Sequence, residues 1–179
     1  MPSTLLRRRL LCIASLLVAG GSLGAGECGR SLDTRELARM CPAQLDAVFA
    51  SGSVGCRPVG AGRGRILYIL DARHPRARAN LVDVAWKGKY FTCDGRMVNR
   101  WAGGVRAVEA AVVVEPSLLD GKPCLMLDYP PDAPIFGNTR DELREVAPGV
   151  FLGRAYERCP QPRLKGYFVL EMAGCAGAR

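Results

Sequence analysis

Histidine is nearly absent from this sequence. Among its 179 residues there is one, His74, beside Pro75 in the arginine-rich segment 73–78. A Ser-His-Asp triad needs a histidine held between nucleophile and acid, and a multi-histidine metal site needs several. The composition therefore argues against both kinds of site, and we interpret segment 73–78 as a solvated loop between strands.

Closely spaced cysteines are also missing. The eight cysteines contain no C-x-x-C pair, which argues against zinc ribbons and thioredoxin-like redox motifs. Cys12 belongs to an apolar N-terminal run, and the other seven are widely spaced. In an oxidising compartment such cysteines form structural disulfides. We predict three disulfides and one leftover thiol among these seven, with no metal needed for folding and no cofactor.

The sequence lacks a block of Lys and Arg interleaved with aromatic residues. It has 25 basic and 17 acidic residues, and without Arg7, Arg8 and Arg9 the numbers are 22 and 17. This mild excess suits contact with an anionic envelope surface but lacks the dense basic stripe of nucleic-acid-binding proteins. We predict no nucleic-acid partner, and the sequence leaves the oligomeric state open.

The N-terminal segment has the three-part layout of a secretory signal peptide. Three arginines precede an apolar run at residues 10–19, and small residues follow as far as Gly26. The run is too short to span a bilayer, and the small residues suit signal peptidase. Residues 1–26 are therefore predicted to be a cleaved signal peptide, and the mature protein to be exported to the periplasm or secreted into the medium.

Two short helices are predicted after the signal peptide, over residues 31–51. Asp33 and Glu36 have the spacing of a capping box. Pro42 suits the first turn of a second helix, which Gly52 would end. Residues 27–62 are thus predicted to form a short helical, disulfide-tied segment, whose glycine-rich end we interpret as a linker.

From residue 63 to residue 175 the pattern changes to short strands. The apolar residues Val82, Val84 and Trp86 alternate against Asp83 and Lys87, which is typical of a strand with one buried face. Asp94-Gly95 and Asp120-Gly121 favour the tight turns that join antiparallel strands. Seven or eight such strands predict a mainly β fold, a single antiparallel barrel preceded by two short N-terminal helices.

Five motifs follow one another in this region. They lie at residues 86–91, 117–123, 127–129, 140–144 and 148–153. Their order resembles that of exported proteins with lipocalin-like, calycin-type β-barrels, over about residues 80–172. The resemblance implies a lipocalin-like barrel and no particular chemistry.

Six side chains are candidate ligand-binding residues. They are Trp86, Trp101, Tyr129, Arg140, Arg144 and Tyr156. The aromatic ones could line a cavity or fill the interior, because barrels of this strand number occur in both forms. The arginines could hold an acidic group at the barrel mouth, because a guanidinium offers a bidentate fork. Alternatively, the charged run 140–145 is a solvated turn with internal ion pairs.

These patterns predict an exported protein that binds a small apolar or amphipathic molecule, with apolar walls supplying the affinity and the two arginines orienting the ligand. One alternative is an enzyme on the same barrel, with Asp128 or Asp141 as acid or base. Tyr129 or Tyr156 would then donate a hydrogen bond. Another alternative is a ligand-free envelope protein that contacts other proteins or anionic polymers. A carboxylate facing a cavity would favour the enzyme, and a filled interior the envelope protein.

Overall fold

The computed structural model of the protein describes residues 32–173 and the backbone of residues 175 and 176. In this part of the chain the helices are α1 (Thr34–Arg39), α2 (Pro42–Ser51) and α3 (Pro75–Asp83). The strands are β1 (Arg57–Pro58), β2 (Gly60–Ile69), β3 (Trp86–Phe91), β4 (Arg96–Trp101), β5 (Arg106–Pro116), β6 (Pro123–Asp128), β7 (Thr139–Ala147), β8 (Val150–Glu157), β9 (Arg163–Met172) and β10 (Cys175–Ala176). The predicted signal peptide lies outside the described residues.

The two helices predicted within residues 31–51 are confirmed, at Thr34–Arg39 and Pro42–Ser51. Asp33 Oδ1 accepts a hydrogen bond from the Glu36 backbone N–H (2.8 Å), and the Glu36 carboxylate accepts one from the Asp33 N–H (3.4 Å). Pro42 starts α2, and Gly52 caps its C-terminus. The capping residues thus satisfy backbone donors that a helix start leaves unpaired.

The predicted mainly β architecture is also confirmed. Strands β2 to β9 form a closed antiparallel barrel in chain order, because β9 pairs with β2 as well as with β8. β1 and β10 form a separate two-stranded sheet. Gly95 and Gly121 occupy the two predicted turns with φ of 86° and 70°, which glycine adopts without steric cost.

Side chains that alternate along the barrel strands belong to two apolar clusters. The interior cluster lies inside the barrel and includes Leu125, Leu127, Leu143, Phe151, Phe168 and Leu170. The outer cluster lies between the strands and helices α1 and α2, and it includes Leu37, Leu45, Phe49, Leu152 and Val169. Consecutive residues such as Leu152 and Phe151 therefore belong to different layers, as the two-residue period of a strand requires.

The segment after β2 forms a helix, so the predictions of a loop at residues 73–78 and of a strand over residues 82–86 were wrong. α3 begins at Pro75, and proline is well suited to the first helical turn because its missing N–H would be unpaired there anyway. The helix continues to Asp83, and β3 starts only at Trp86.

Tertiary contacts hold α3 against the barrel. The Arg76 side chain donates from Nε to the Tyr68 hydroxyl (2.6 Å) and from Nη2 to the Met40 carbonyl (2.8 Å). Ala79 is fully buried, and the Asp83 carboxylate accepts a hydrogen bond from the Ile66 N–H (3.0 Å). Contacts with residues distant in sequence thus override the local strand pattern.

Strand β2 begins at Gly60, inside the segment interpreted as a linker. One of its glycines permits a close approach between strands. A Cβ on Gly64 would lie 2.5 Å from the Trp86 ring and 2.5 Å from the Gly88 Cα. The missing side chain therefore leaves room for the indole inside the barrel.

The predicted framework of three disulfides was wrong. Cys93, Cys124 and Cys159 are free thiols, the first and last exposed and Cys124 buried. Three free thiols among the seven cysteines beyond Cys12 leave at most two pairs. The physical reason is placement: Cys124 points into the outer apolar cluster, where burial raises the pKa of its thiol to about 12.

Alkylation of the native, unreduced protein tests this arrangement. Iodoacetamide should label Cys93 and Cys159, whereas Cys124 should react only after unfolding, because the thiolate is the reactive form. Peptide mass spectrometry identifies the labelled residues. Protection of Cys93 and Cys159 until a reductant is added would contradict the arrangement.

The close packing at Gly64 gives a second test. Gly64→Ala should lower the free energy of unfolding by about 1–3 kcal/mol, because the new methyl group overpacks the interior. Gly62→Ala is the matched control on the same strand, since its Cβ meets the flexible end of Met172 at 2.5 Å. Urea unfolding measures both. Equal losses in the two variants would show that Trp86 does not set the constraint.

Candidate ligand-binding cavity

A cavity of about 220 Å³ lies inside one end of the barrel. At this end the chain passes from β2 through α3 to β3, and from β6 through the loop 129–138 to β7. The walls are mainly apolar and include Ile66, Val82, Trp86, Trp101, Phe136 and Phe168. The interior is therefore not completely filled.

Lys89 and Asp141 bring charge to the inner end of this cavity. Lys89 is 1% exposed and Asp141 is 3% exposed. The Lys89 ammonium donates to Asp141 Oδ2 (3.0 Å), to the Tyr129 hydroxyl (2.7 Å) and to Asn99 Oδ1 (2.9 Å). All three ammonium hydrogens thus have acceptors, as a buried cation requires.

The partners of Lys89 are themselves connected. The Tyr129 hydroxyl donates to Asp141 Oδ2 (3.0 Å), and Trp86 Nε1–H donates to Asn99 Oδ1 (3.1 Å). Asn99 Nδ2 donates to the Val108 carbonyl (3.1 Å). We call Lys89, Asn99, Tyr129 and Asp141 the interior polar cluster.

Burial governs the electrostatics of this cluster. It lowers the pKa of Lys89, against the opposing attraction of Asp141. Burial also raises the pKa of Tyr129 well above its usual value, so the hydroxyl stays protonated. The Lys89 Nζ lies 5.6, 5.4 and 5.3 Å from the ring centroids of Trp86, Tyr129 and Phe168. The amine therefore sits among aromatic faces at the cavity.

Three of the six predicted site residues lie at this end of the barrel. Trp86 and Trp101 line the cavity, and Tyr129 belongs to the interior polar cluster. Phe136 connects them, because its ring stacks on Tyr129 (centroids 5.0 Å apart) and lies 6.3 Å from Trp101. The structure thus brings these three aromatic residues together.

Arg140 and Arg144 lie on the other face of β7 and do not reach the cavity. Arg144 is fully buried beneath α2 and the loop 117–122, where its guanidinium donates to both carboxylate oxygens of Asp120 (2.9 and 2.7 Å). Arg140 donates to Glu142 (3.0 Å). The expectation of two arginines at the barrel mouth was therefore wrong in its geometry, because strand alternation directs Asp141 inward and its neighbours outward.

Tyr156 also points away from the cavity. It lines a groove on the outer surface together with Arg140, Asp128 and Arg158. Asp128 forms an ion pair with Arg158 there. Burial raises the Tyr156 pKa. Tyr156 and Asp128 therefore belong to a different surface from Asp141.

Sequence reasoning missed Lys89 and Asn99. Simple alternation from Trp86 would point Gly88 inward and Lys89 outward. A β-bulge between Trp86 and Gly88 shifts the register, so that Lys89 pairs with Asn99 and faces the interior. Gly88, with φ of 111°, permits this. The sequence does offer one signal for an inward lysine, because Lys87 and Lys89 flank Gly88. This pattern does not tell which of the two lysines faces the interior.

Comparison with known proteins supports the fold and no more. No protein-family model and no curated protein matches the chain. Among solved structures, a protein from Thermomonospora curvata is similar, with 17% identity and a TM-score of 0.51, over 78% of this chain and 97% of that one. The closed eight-stranded antiparallel barrel is consistent with a calycin-like architecture.

Among the described residues, no helix has the length and apolar character needed to cross a membrane. Within the same residues, no group of three or more His, Cys, Asp or Glu side chains is arranged to hold a metal ion.

The Arg144–Asp120 contact generates an acid-stability prediction. Hydrogen bonds from Arg144 lower the pKa of Asp120 from 3.8 to about 2. A carboxyl whose pKa is lower in the folded state stabilises the fold above its unfolded pKa, and this contribution is lost as the pH falls through the folded value. Between about pH 5 and pH 2 the free energy of unfolding should therefore fall by about 1 kcal/mol more in the wild type than in Asp120→Asn. The difference is this small because solvent screens the pair.

Urea unfolding at several pH values measures this difference. Asp132→Asn, at an exposed loop position, serves as the control and should lose stability in parallel with the wild type. Parallel acid curves for the wild type and Asp120→Asn would contradict the contact.

Proposed function

We propose that the barrel binds a small neutral molecule that has an apolar, ring-sized body and one hydroxyl or carbonyl group. The observation that carries the proposal is the apolar cavity of about 220 Å³ with the interior polar cluster at its inner end. Apolar walls with a few convergent polar groups are the usual composition of small-molecule sites.

Cavity size limits the ligand. An apolar cavity of about 150 Å³ accommodates benzene, so a cavity of about 220 Å³ has room for one ring with a short substituent. Trp86, Trp101 and Phe168 present aromatic surface to such a ring. Burial of the ring would supply most of the affinity.

Charge limits the ligand as well. Lys89 and Asp141 already neutralise each other, and the ammonium hydrogens are all donated. A carboxylate or ammonium on the ligand would be a third buried charge without a partner, which costs several kcal/mol or more. The polar group of the ligand should therefore be uncharged. This differs from the acidic group that the sequence analysis expected Arg140 and Arg144 to hold.

The proposal extends to location and partners. The N-terminal pattern supports an exported protein with a lipocalin-like barrel, acting in the periplasm or the medium. Its surface has a mild basic excess, which suits contact with an anionic envelope surface. No nucleic-acid partner is proposed.

Tryptophan fluorescence can test binding, because both tryptophans of the chain line the cavity. Benzyl alcohol should shift the emission, and benzoate, with the same ring and a negative charge, should bind at least about 10-fold more weakly. Isothermal titration calorimetry gives the two dissociation constants.

A filled cavity provides the control. Ala155 lines the cavity, so Ala155→Phe should abolish the benzyl alcohol response. Ala111→Phe adds the same side chain at an exposed position of β5 and should leave the response unchanged. Equal binding by both variants, or no response of the wild type, would contradict a ligand in this cavity.

A further inference from the structure

We propose that Lys89 captures a carbonyl ligand, an aldehyde of one-ring size, as an imine inside the barrel. This inference rests on the proposed function, because it assigns a covalent step to the same cavity. It joins two observations: a buried amine that reaches an apolar cavity, and a carboxyl group in hydrogen-bond contact with that amine.

The position of Lys89 suits a nucleophilic amine. The side chain lines the cavity among three aromatic rings, with Nζ 5.3–5.6 Å from their centroids. An apolar environment disfavours the ammonium form, and desolvation is an established way to activate a lysine for imine formation. Burial accordingly lowers the pKa of this amine.

Asp141 is placed to move the protons. Its Oδ2 lies 3.0 Å from Nζ and accepts a hydrogen bond from the Tyr129 hydroxyl (3.0 Å). Transfer of one proton from the ammonium to Asp141 produces a neutral amine beside a carboxylic acid. This exchange keeps the pair uncharged overall, so no unpaired charge is created in the interior.

The reaction balances without an oxidant or a reductant. The Nζ lone pair forms a bond to the carbonyl carbon, and the carbonyl oxygen takes the proton from Asp141. Asp141 then removes a proton from the nitrogen and returns it to the hydroxyl group, which leaves as water while the nitrogen lone pair forms the C=N bond. The product is a protonated imine beside the Asp141 carboxylate, with the same charges as the starting ion pair.

The other lysines have different surroundings. Lys87, two residues away, is exposed and donates to the Asp83 carbonyl (3.0 Å). Lys122 is exposed. Lys165 borders the cavity, but it forms ion pairs with Asp71 and Glu157 at the surface. These three amines therefore lie outside the interior polar cluster that holds the Lys89 ammonium.

Reductive trapping tests the proposal. The full chain is treated with benzaldehyde and sodium cyanoborohydride, and intact and peptide mass spectrometry locate the benzyl group. Lys89 should be modified first, with at most one group per chain at low aldehyde concentration. Lys89→Arg should lose this early product, and Lys87→Arg, the matched control, should retain it.

Two further measurements separate chemistry from folding and from binding. In the wild type, excess benzyl alcohol should suppress labelling at Lys89 and leave labelling at Lys87 unchanged. This measurement uses the wild-type protein alone, so it does not depend on the folding of a variant. Asp141→Asn should slow trapping at Lys89 by at least about 10-fold, measured on protein that circular dichroism shows to be folded.

The outcomes are distinct. Labelling at Lys87, Lys122 or Lys165 with Lys89 unmodified, in a protein that still binds benzyl alcohol, would overturn the imine and leave the binding proposal intact. Absence of the benzyl alcohol response would overturn the binding proposal itself. Labelling at Lys89 that benzyl alcohol does not suppress would show that the carbonyl compound reaches the amine by another route, and the imine site in this cavity would be wrong.

Discussion

The ion pair between Lys89 and Asp141 is the interaction on which the interior of this barrel depends. β3 and β7 are separated by three strands in either direction around the barrel, so the pair bridges opposite walls. Removal of both charges from water costs several kcal/mol per ion, and the pair is favourable only when its remaining hydrogen-bonding groups have partners. Asn99 and Tyr129 supply these partners. Loss of one charge would leave the other unpaired, which typically costs about 3–5 kcal/mol.

The cavity follows from the same arrangement. Lys89 faces inward because the bulge before Gly88 changes the register of β3, and Trp86 fits beside it because Gly64 has no side chain. The Lys89 Nζ lies 5.3–5.6 Å from the ring centroids of Trp86, Tyr129 and Phe168. The space between these rings and the loop that carries Phe136 is the cavity.

A second polar layer on the outside of the barrel has a structural role. Arg144 binds Asp120 and also donates to the Phe49 carbonyl (3.2 Å), which connects β7, the loop before β6 and helix α2. Arg140 and Ser117 both donate to the buried Glu142. The outward face of β7 therefore holds the covering segments in place, while its inward face contributes Asp141 to the cavity. Because of its two-residue period, this one strand contributes to the outer packing with one face and to the cavity with the other.

The sequence by itself determined the barrel architecture, the two N-terminal helices and two of the aromatic residues that line the cavity, Trp86 and Trp101. Capping residues, Asp-Gly turns and alternating side chains act over a few residues, so each is readable from the local pattern. Tertiary structure decided the rest. Helix α3 depends on Arg76 reaching Met40 and Tyr68, and the inward turn of Lys89 depends on a one-residue bulge. A one-residue shift of register exchanges the two faces of a strand. For this reason the sequence identified Trp86, Trp101 and Tyr129 but directed attention to the outward arginines instead of Lys89.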